Sequence, residues 1–79
     1  MVARSFHVTG DPCPQLTMRI LGVFARISMI PQRFECRDLG DVLDIWIEAS
    51  IEEDRSSALL EQQIQRIIGV RQLRAGKVF

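Results

Sequence analysis

The segment from Arg33 to Ala49 constrains this chain most, because its residues pair sensibly in only one register. With Gly40-Asp41 as a two-residue turn, a leading glycine suits a type II′ hairpin. Leu39 then faces Val42, Arg37 faces Asp44, Glu35 faces Trp46 and Arg33 faces Glu48. On the other face Cys36 meets Ile45 and Phe34 meets Ile47. One side gains two opposite-charge pairs and the other two apolar pairs, each worth about 0.2–1 kcal/mol. A slip of one residue sets Phe34 against Glu48 or Trp46, and Arg37 against Ile45 or Leu43. Asp38 opposite Leu43 is the one poor pair, and it lies beside the turn, where it reaches solvent.

The rest of the chain supplies partners for this hairpin. Ser5-Phe6-His7-Val8-Thr9 alternates polar and apolar, as a half-buried strand does. Gly10-Asp11-Pro12-Cys13-Pro14 breaks that pattern, and a helix can start at Pro14, where a missing N–H costs nothing. Leu16, Ile20, Val23, Phe24 and Ile27 form a helical stripe. Gly22 inside it costs about 1 kcal/mol against alanine, which is rational if it lets the helix approach the sheet. Pro31 is expected to end the element, since Ile30 before it resists helical geometry. After a charged connection, Ser56 or Ser57 is expected to cap a second helix, with Leu60, Ile64, Ile67 and Ile68 as its stripe. Gly69 supplies the stop, and Val70 to Ala75 is long enough for a last strand.

The order is β-α-β-β-α-β. Two right-handed crossovers joined by a hairpin give an α+β, ferredoxin-like fold. Its antiparallel sheet has the order 4-1-3-2, with both helices on one face and the other face open.

At 79 residues the chain is expected to form a single domain spanning 1–79. Its 47% hydrophobic content and zero net charge argue against disorder. Apolar runs are too short to cross a bilayer and no secretory leader pattern is visible, so a cytoplasmic location is expected. Ten basic residues balance ten acidic ones in an interspersed pattern. Nucleic acid is therefore not an expected partner. Cys13, Cys36 and a single histidine have no metal-type spacing, so neither a metal site nor a cofactor is expected and the thiols read as reduced. A domain this small buries only about 60–65% of its unfolded surface. A partner subunit is the stabilising device most easily available to it.

No nucleophile and base stand together. The serines lack a histidine, His7 belongs on the open sheet face, and Glu52, Glu53 and Asp54 read as a solvated run. Catalysis is not expected. An RNA-binding module of the same topology needs aromatics on the open faces of the central strands and basic residues around them. Trp46 is suitably placed, but His7 stands where the first strand needs an aromatic. Asp44 and Glu48 flank Trp46.

A family resemblance rests on two stretches. Arg19-Ile20-Leu21-Gly22-Val23-Phe24, followed by Met29 and Ile30, resembles the first helix of the ACT domains in small regulatory subunits of acetolactate synthase. Ile64-Gln65-Arg66-Ile67-Ile68-Gly69-Val70-Arg71 resembles that family's passage from second helix to last strand. Asp11-Pro12 is similar to the Asn-Pro that opens its shortest members. The resemblance implies an ACT-like domain that dimerises side by side. It also implies a non-catalytic subunit that activates a thiamine-diphosphate enzyme of branched-chain amino-acid synthesis. Longer members bind an amino acid at the first strand–helix turn, where Asn-x-x-Gly or Asp-x-x-Gly presents backbone amides. Here Pro12 and Pro14 remove two donors and Ser28 replaces the family's glycine before the second strand. Gly10, Asp11 and Cys13 remain as effector-binding residues, and weak binding or none is expected. The rival reading is a stand-alone ACT-like amino-acid sensor for another enzyme. A homodimer is expected through the second strand, at Arg33, Glu35 and Arg37. Leu39, Val42 and Trp46 would form the face offered to the large catalytic subunit.

Overall fold

The computed structural model describes residues 2–51 and 54–77. Strand β1 (Val2–Gly10) forms because Phe6 and Val8 alternate with His7 and Thr9. Phe6 and Val8 are fully buried, whereas His7 and Thr9 are only half-buried on the opposite face. Helix α1 (Pro14–Arg26) follows, then β2 (Arg33–Asp38), β3 (Leu43–Ile51), α2 (Asp54–Gln65) and β4 (Val70–Lys77). The four strands are antiparallel in the order β2-β3-β1-β4, which is 4-1-3-2 read from the other edge. The hairpin adopts the register its side chains dictate, with every pair from Arg33–Glu48 to Asp38–Leu43 in place. The Leu39 N–H donates to the Val42 carbonyl at 3.0 Å, and Gly40 takes φ +90° at the turn. Asp38, the poor pair, accepts the Gly40 N–H at 2.9 Å.

Both helices pack on the face that carries Phe6, Val8, Ile45 and Ile47. Leu16, Ile20, Val23 and Phe24 from α1 meet Leu60 and Ile64 from α2 in one cluster with those strand residues. The α1 stripe is as the periodicity requires, but its end is not. The helix stops at Arg26, well before Pro31, because Ser28 adopts φ +56°. The Met29 N–H reaches the Phe24 carbonyl at 2.8 Å and the Ser28 N–H reaches Ala25 at 3.1 Å. That is a Schellman stop, with Met29 and Phe24 both packed on the core. Serine lacks the freedom of glycine there, so sequence alone pointed to the proline instead.

Three further expectations need correction. Gly22 does not bring α1 onto the sheet: a Cβ there would have nothing within 4 Å. The second helix begins at Asp54, so Ser56 and Ser57 lie in its first turn rather than capping it. Ser57 is buried, because the stripe Ser57-Leu60-Ile64 recruits a small polar residue to the core face. Glu52 and Glu53 of the charged run lie outside the described residues. The helix also ends at Gln65, before Gly69. Val70 N–H bonds Ile67 at 3.1 Å across a turn in which Gly69 takes φ +106°. Such a glycine suits the third position of a type II turn. Ile68 occupies the outer corner and is 83% exposed, so it leaves the core stripe.

Replacing Ser28 by glycine removes a left-handed strain of about 1–2 kcal/mol. Part of that gain is lost to unfolded-chain entropy. Ser28→Gly is expected to raise the thermal midpoint by about 4–8 °C, the shift for about 1 kcal/mol in a domain this size. A lower midpoint would show that the serine hydroxyl supplies a compensating bond.

Candidate functional site

The first strand–helix turn is built around an absent side chain. A Cβ on Gly10 would lie 2.4 Å from the Leu16 Cδ2 and 2.7 Å from the Gly69 carbonyl oxygen. Only glycine lets the end of β1, the first turn of α1 and the turn before β4 meet this closely. The Asp11 N–H donates to that same Gly69 carbonyl at 2.8 Å. The Cys13 N–H donates to the Asp11 carbonyl at 2.7 Å, and the Cys13 carbonyl accepts from Leu16 at 3.0 Å. Gly10 itself is set in the ladder between Leu43 and Val70.

Of the three residues expected to hold a carboxylate, Asp11 and Cys13 thus have their amides engaged within the chain. Sequence reasoning also missed a side-chain contact that holds this turn. Between Thr9 and Gly10 the β1–β4 register shifts, leaving Arg71 as an extra residue on β4. The bulge aims Arg71, whose Nε donates to Asp11 Oδ1 at 2.7 Å. The pair is half-exposed and worth about 0–1 kcal/mol by itself. Its consequence is positional, since this cation beside the turn already has a carboxylate.

The open sheet face carries rows set by the register. Glu35, Trp46, His7 and Arg74 form one row across all four strands, and Arg37, Asp44, Thr9 and Gln72 form the next. His7 Nε2 bonds Asp44 Oδ1, and the His7 and Trp46 rings lie 6.2 Å apart. Arg37 Nε stands 4.0 Å from Asp44 Oδ2. The Trp46 indole N–H donates to Glu48 Oε2 at 2.7 Å, and Arg33 Nη1 reaches the same oxygen at 3.4 Å. Arg33 also forks onto Glu35 at 2.8 and 3.1 Å. That hydrogen bond, then the charges of Glu35 and Glu48, hold its guanidinium above its already high usual pKa.

Trp46 is therefore pinned in place, 37% exposed, with its polar edge satisfied. Leu39 and Val42 share its face, but the Arg37–Asp44 row separates them from it. The three do not form one apolar patch. Three carboxylates around Trp46 and His7 disfavour a phosphate backbone on this face.

Along the β2 edge, Arg33, Glu35 and Arg37 direct their side chains to the open face. Because Leu39 and Val42 are a hydrogen-bonded pair, Arg37–Asp44 and Glu35–Trp46 are too. The amides facing outward then belong to Phe34, Cys36 and Asp38. Cys13 and Cys36 are free thiols. Among the described residues no group of three or more His, Cys, Asp or Glu could hold a metal ion. No described helix is long and apolar enough to cross a membrane.

No protein-family model matches this sequence, and no curated protein matches it. Solved structures do. The ACT domain from GTP pyrophosphokinase of Chlorobium tepidum superposes with a TM-score of 0.84 at 11% identity, covering 95% of this chain and 97% of that one. A homoserine dehydrogenase from Thiobacillus denitrificans gives 0.80 at 12% identity, over 96% of this chain but only 17% of the enzyme. The C-terminal domain of the MgtC protein from Mycobacterium tuberculosis gives 0.77 at 10% identity, covering 99% of this chain and 88% of that domain. The architecture is thus the ACT-type ferredoxin-like fold.

Two outcomes follow for the turn. Gly10→Ala is expected to cost about 1–3 kcal/mol or more, since the backbone carbonyl it meets has little room to move. Denaturant unfolding with an unchanged midpoint would show that the junction is looser than its distances. Calorimetric titration with valine, leucine and isoleucine should give no micromolar binding, and such binding would mean that other groups replace the engaged amides.

Proposed function

We propose that this chain is a non-catalytic regulatory subunit, a single ACT-like domain that binds and activates acetolactate synthase in the cytoplasm. The ACT-type fold supports a regulatory reading. The sequence resemblance in Arg19–Phe24 and Ile64–Arg71 supports the particular enzyme. Domains of this fold occur in larger metabolic enzymes, as the homoserine dehydrogenase match illustrates. One observation carries the reading: the turn that would sense an amino acid has its amides engaged, while the sheet keeps a free edge and an open face. Such a molecule is better suited to protein contacts than to effector sensing. A stand-alone amino-acid sensor for another enzyme is the second reading, favoured only if a branched-chain amino acid binds.

The test is reconstitution. Adding the purified chain to the thiamine-diphosphate-dependent catalytic subunit should raise acetolactate formation, and the two should co-purify. No association and no activation would exclude this enzyme as the partner. Trp46→Ala is expected to weaken the association without unfolding the domain, because the indole lies on the open face rather than in the core. Full activation by that variant would move the contact elsewhere.

The same reading includes a homodimer joined along β2, where an exposed edge offers unpaired backbone groups to a second copy. Cys36→Pro removes an outward amide that the sheet itself does not use, as edge strands tolerate. Sedimentation should show a dimer for the native chain and a monomer for the variant, with circular dichroism confirming its fold. Glu35→Pro would instead break the bond to Trp46 inside the hairpin. A folded Cys36→Pro dimer would remove β2 from the interface.

A further inference from the structure

Gly22 lacks a reason inside this chain. Glycine in mid-helix costs about 1 kcal/mol, and here no neighbour needs the space it leaves. That space opens into a groove of about 590 Å³ between α1 and the α2–β4 connection, lined by Arg19, Gly22, Arg26, Arg66, Ile67 and Ile68. Among the described residues none of the three arginines has a carboxylate partner, in contrast to Arg33, Arg37 and Arg71. Arg19 Nη1 donates to the Ile68 carbonyl at 3.2 Å, which holds that guanidinium at the rim. Helix α1 contains no acidic residue at all. The remaining wall, Ile67 and Ile68, is apolar. Charge in this neutral chain is therefore unevenly placed, with three unneutralised cations around one apolar hollow.

We infer that this groove binds an organic phosphate of nucleotide size, its phosphates on Arg19, Arg26 and Arg66 and its apolar or planar body against Ile67 and Ile68. Guanidinium forks match phosphate oxygens bidentately, and three of them suit a polyphosphate better than a single carboxylate. The volume falls within the range of about 300–1,000 Å³ usual for small-molecule sites. Arg19 and Arg26 stand seven residues apart, about 10 Å along the axis. That is short for a docking helix, which needs anchors over several turns. A second copy of this chain would set arginines against arginines. The groove shares no lining residue with the Gly10–Pro14 turn or the open face, so the inference is independent of which enzyme the protein regulates.

Amide chemical shifts of the labelled full chain, titrated with ATP, pyrophosphate and adenosine, test it. ATP should move residues 19–26 and 66–69 saturably, and pyrophosphate and adenosine should each bind more weakly. Arg26→Gln and Arg66→Gln should each weaken ATP by about tenfold or more, the effect of one lost charge-assisted bond. Arg74→Gln, on the open face, should leave the affinity unchanged. Gly22→Ala should raise the thermal midpoint while lowering ATP affinity, because the new methyl enters the hollow. Absence of saturable shifts in those residues, or equal loss in Arg74→Gln, would overturn the site. Pyrophosphate binding as tightly as ATP would overturn the role of the isoleucine wall. Displacement of ATP by a glutamate-rich peptide at matching concentration would reassign the groove to an acidic protein partner.

Discussion

Everything at one end of this domain depends on the missing side chain of Gly10. The Leu16 methyl and the Gly69 carbonyl both lie where a Cβ would be. That closeness lets one carbonyl accept the Asp11 amide, tying the β1–α1 connection to the α2–β4 connection. The two crossovers of the fold are thereby joined at a single point, with Leu16 serving both the junction and the core. Buried backbone groups need partners; here each connection supplies the other's. The same bonds that close the fold leave the turn fewer free amides with which to grip a ligand.

At the sheet's open face the physics is different. His7, Trp46, Asp44, Glu48, Arg33 and Arg37 are linked by hydrogen bonds and ion pairs on a partly exposed surface. Individually such contacts contribute little, but together they fix the position of an aromatic ring without burying it. An aromatic anchor held in one orientation loses little entropy when a partner covers it. The buried apolar cluster, by contrast, lies between the sheet and the helices, and the face opposite is mostly polar around Trp46, with Leu39 and Val42 at the hairpin end.

Most of this fold was legible in the sequence because its signals were redundant. Cross-strand charge and apolar pairs both demanded one hairpin register, and Pro14 together with the Leu16–Ile27 stripe marked the first helix. What failed had a single, local signal open to another reading. Ser28 occupies a left-handed position that sequence reasoning reserves for glycine, so the helix stop was placed at Pro31. Ser57 is a good cap by type but sits in a buried stripe by period. Ile68 fits the stripe by spacing, yet the helix ends before it and turns it outward. For the candidate site, the prolines were correctly seen to remove donors from the turn. The partners of Asp11 were not visible, because the Gly69 contact and the Arg71 bulge join residues far apart in sequence. The pairing of His7 with Asp44 was implicit in strand order and register, and would have followed from laying the predicted β1 beside the hairpin.

Hydrogen exchange at the Asp11 amide measures the engaged state of the turn directly. An amide held by the Gly69 carbonyl should exchange slowly, comparably with the interior amides of β1, and should not change on adding valine, leucine or isoleucine. Rapid exchange in the free protein that slows only when an amino acid is added would contradict it.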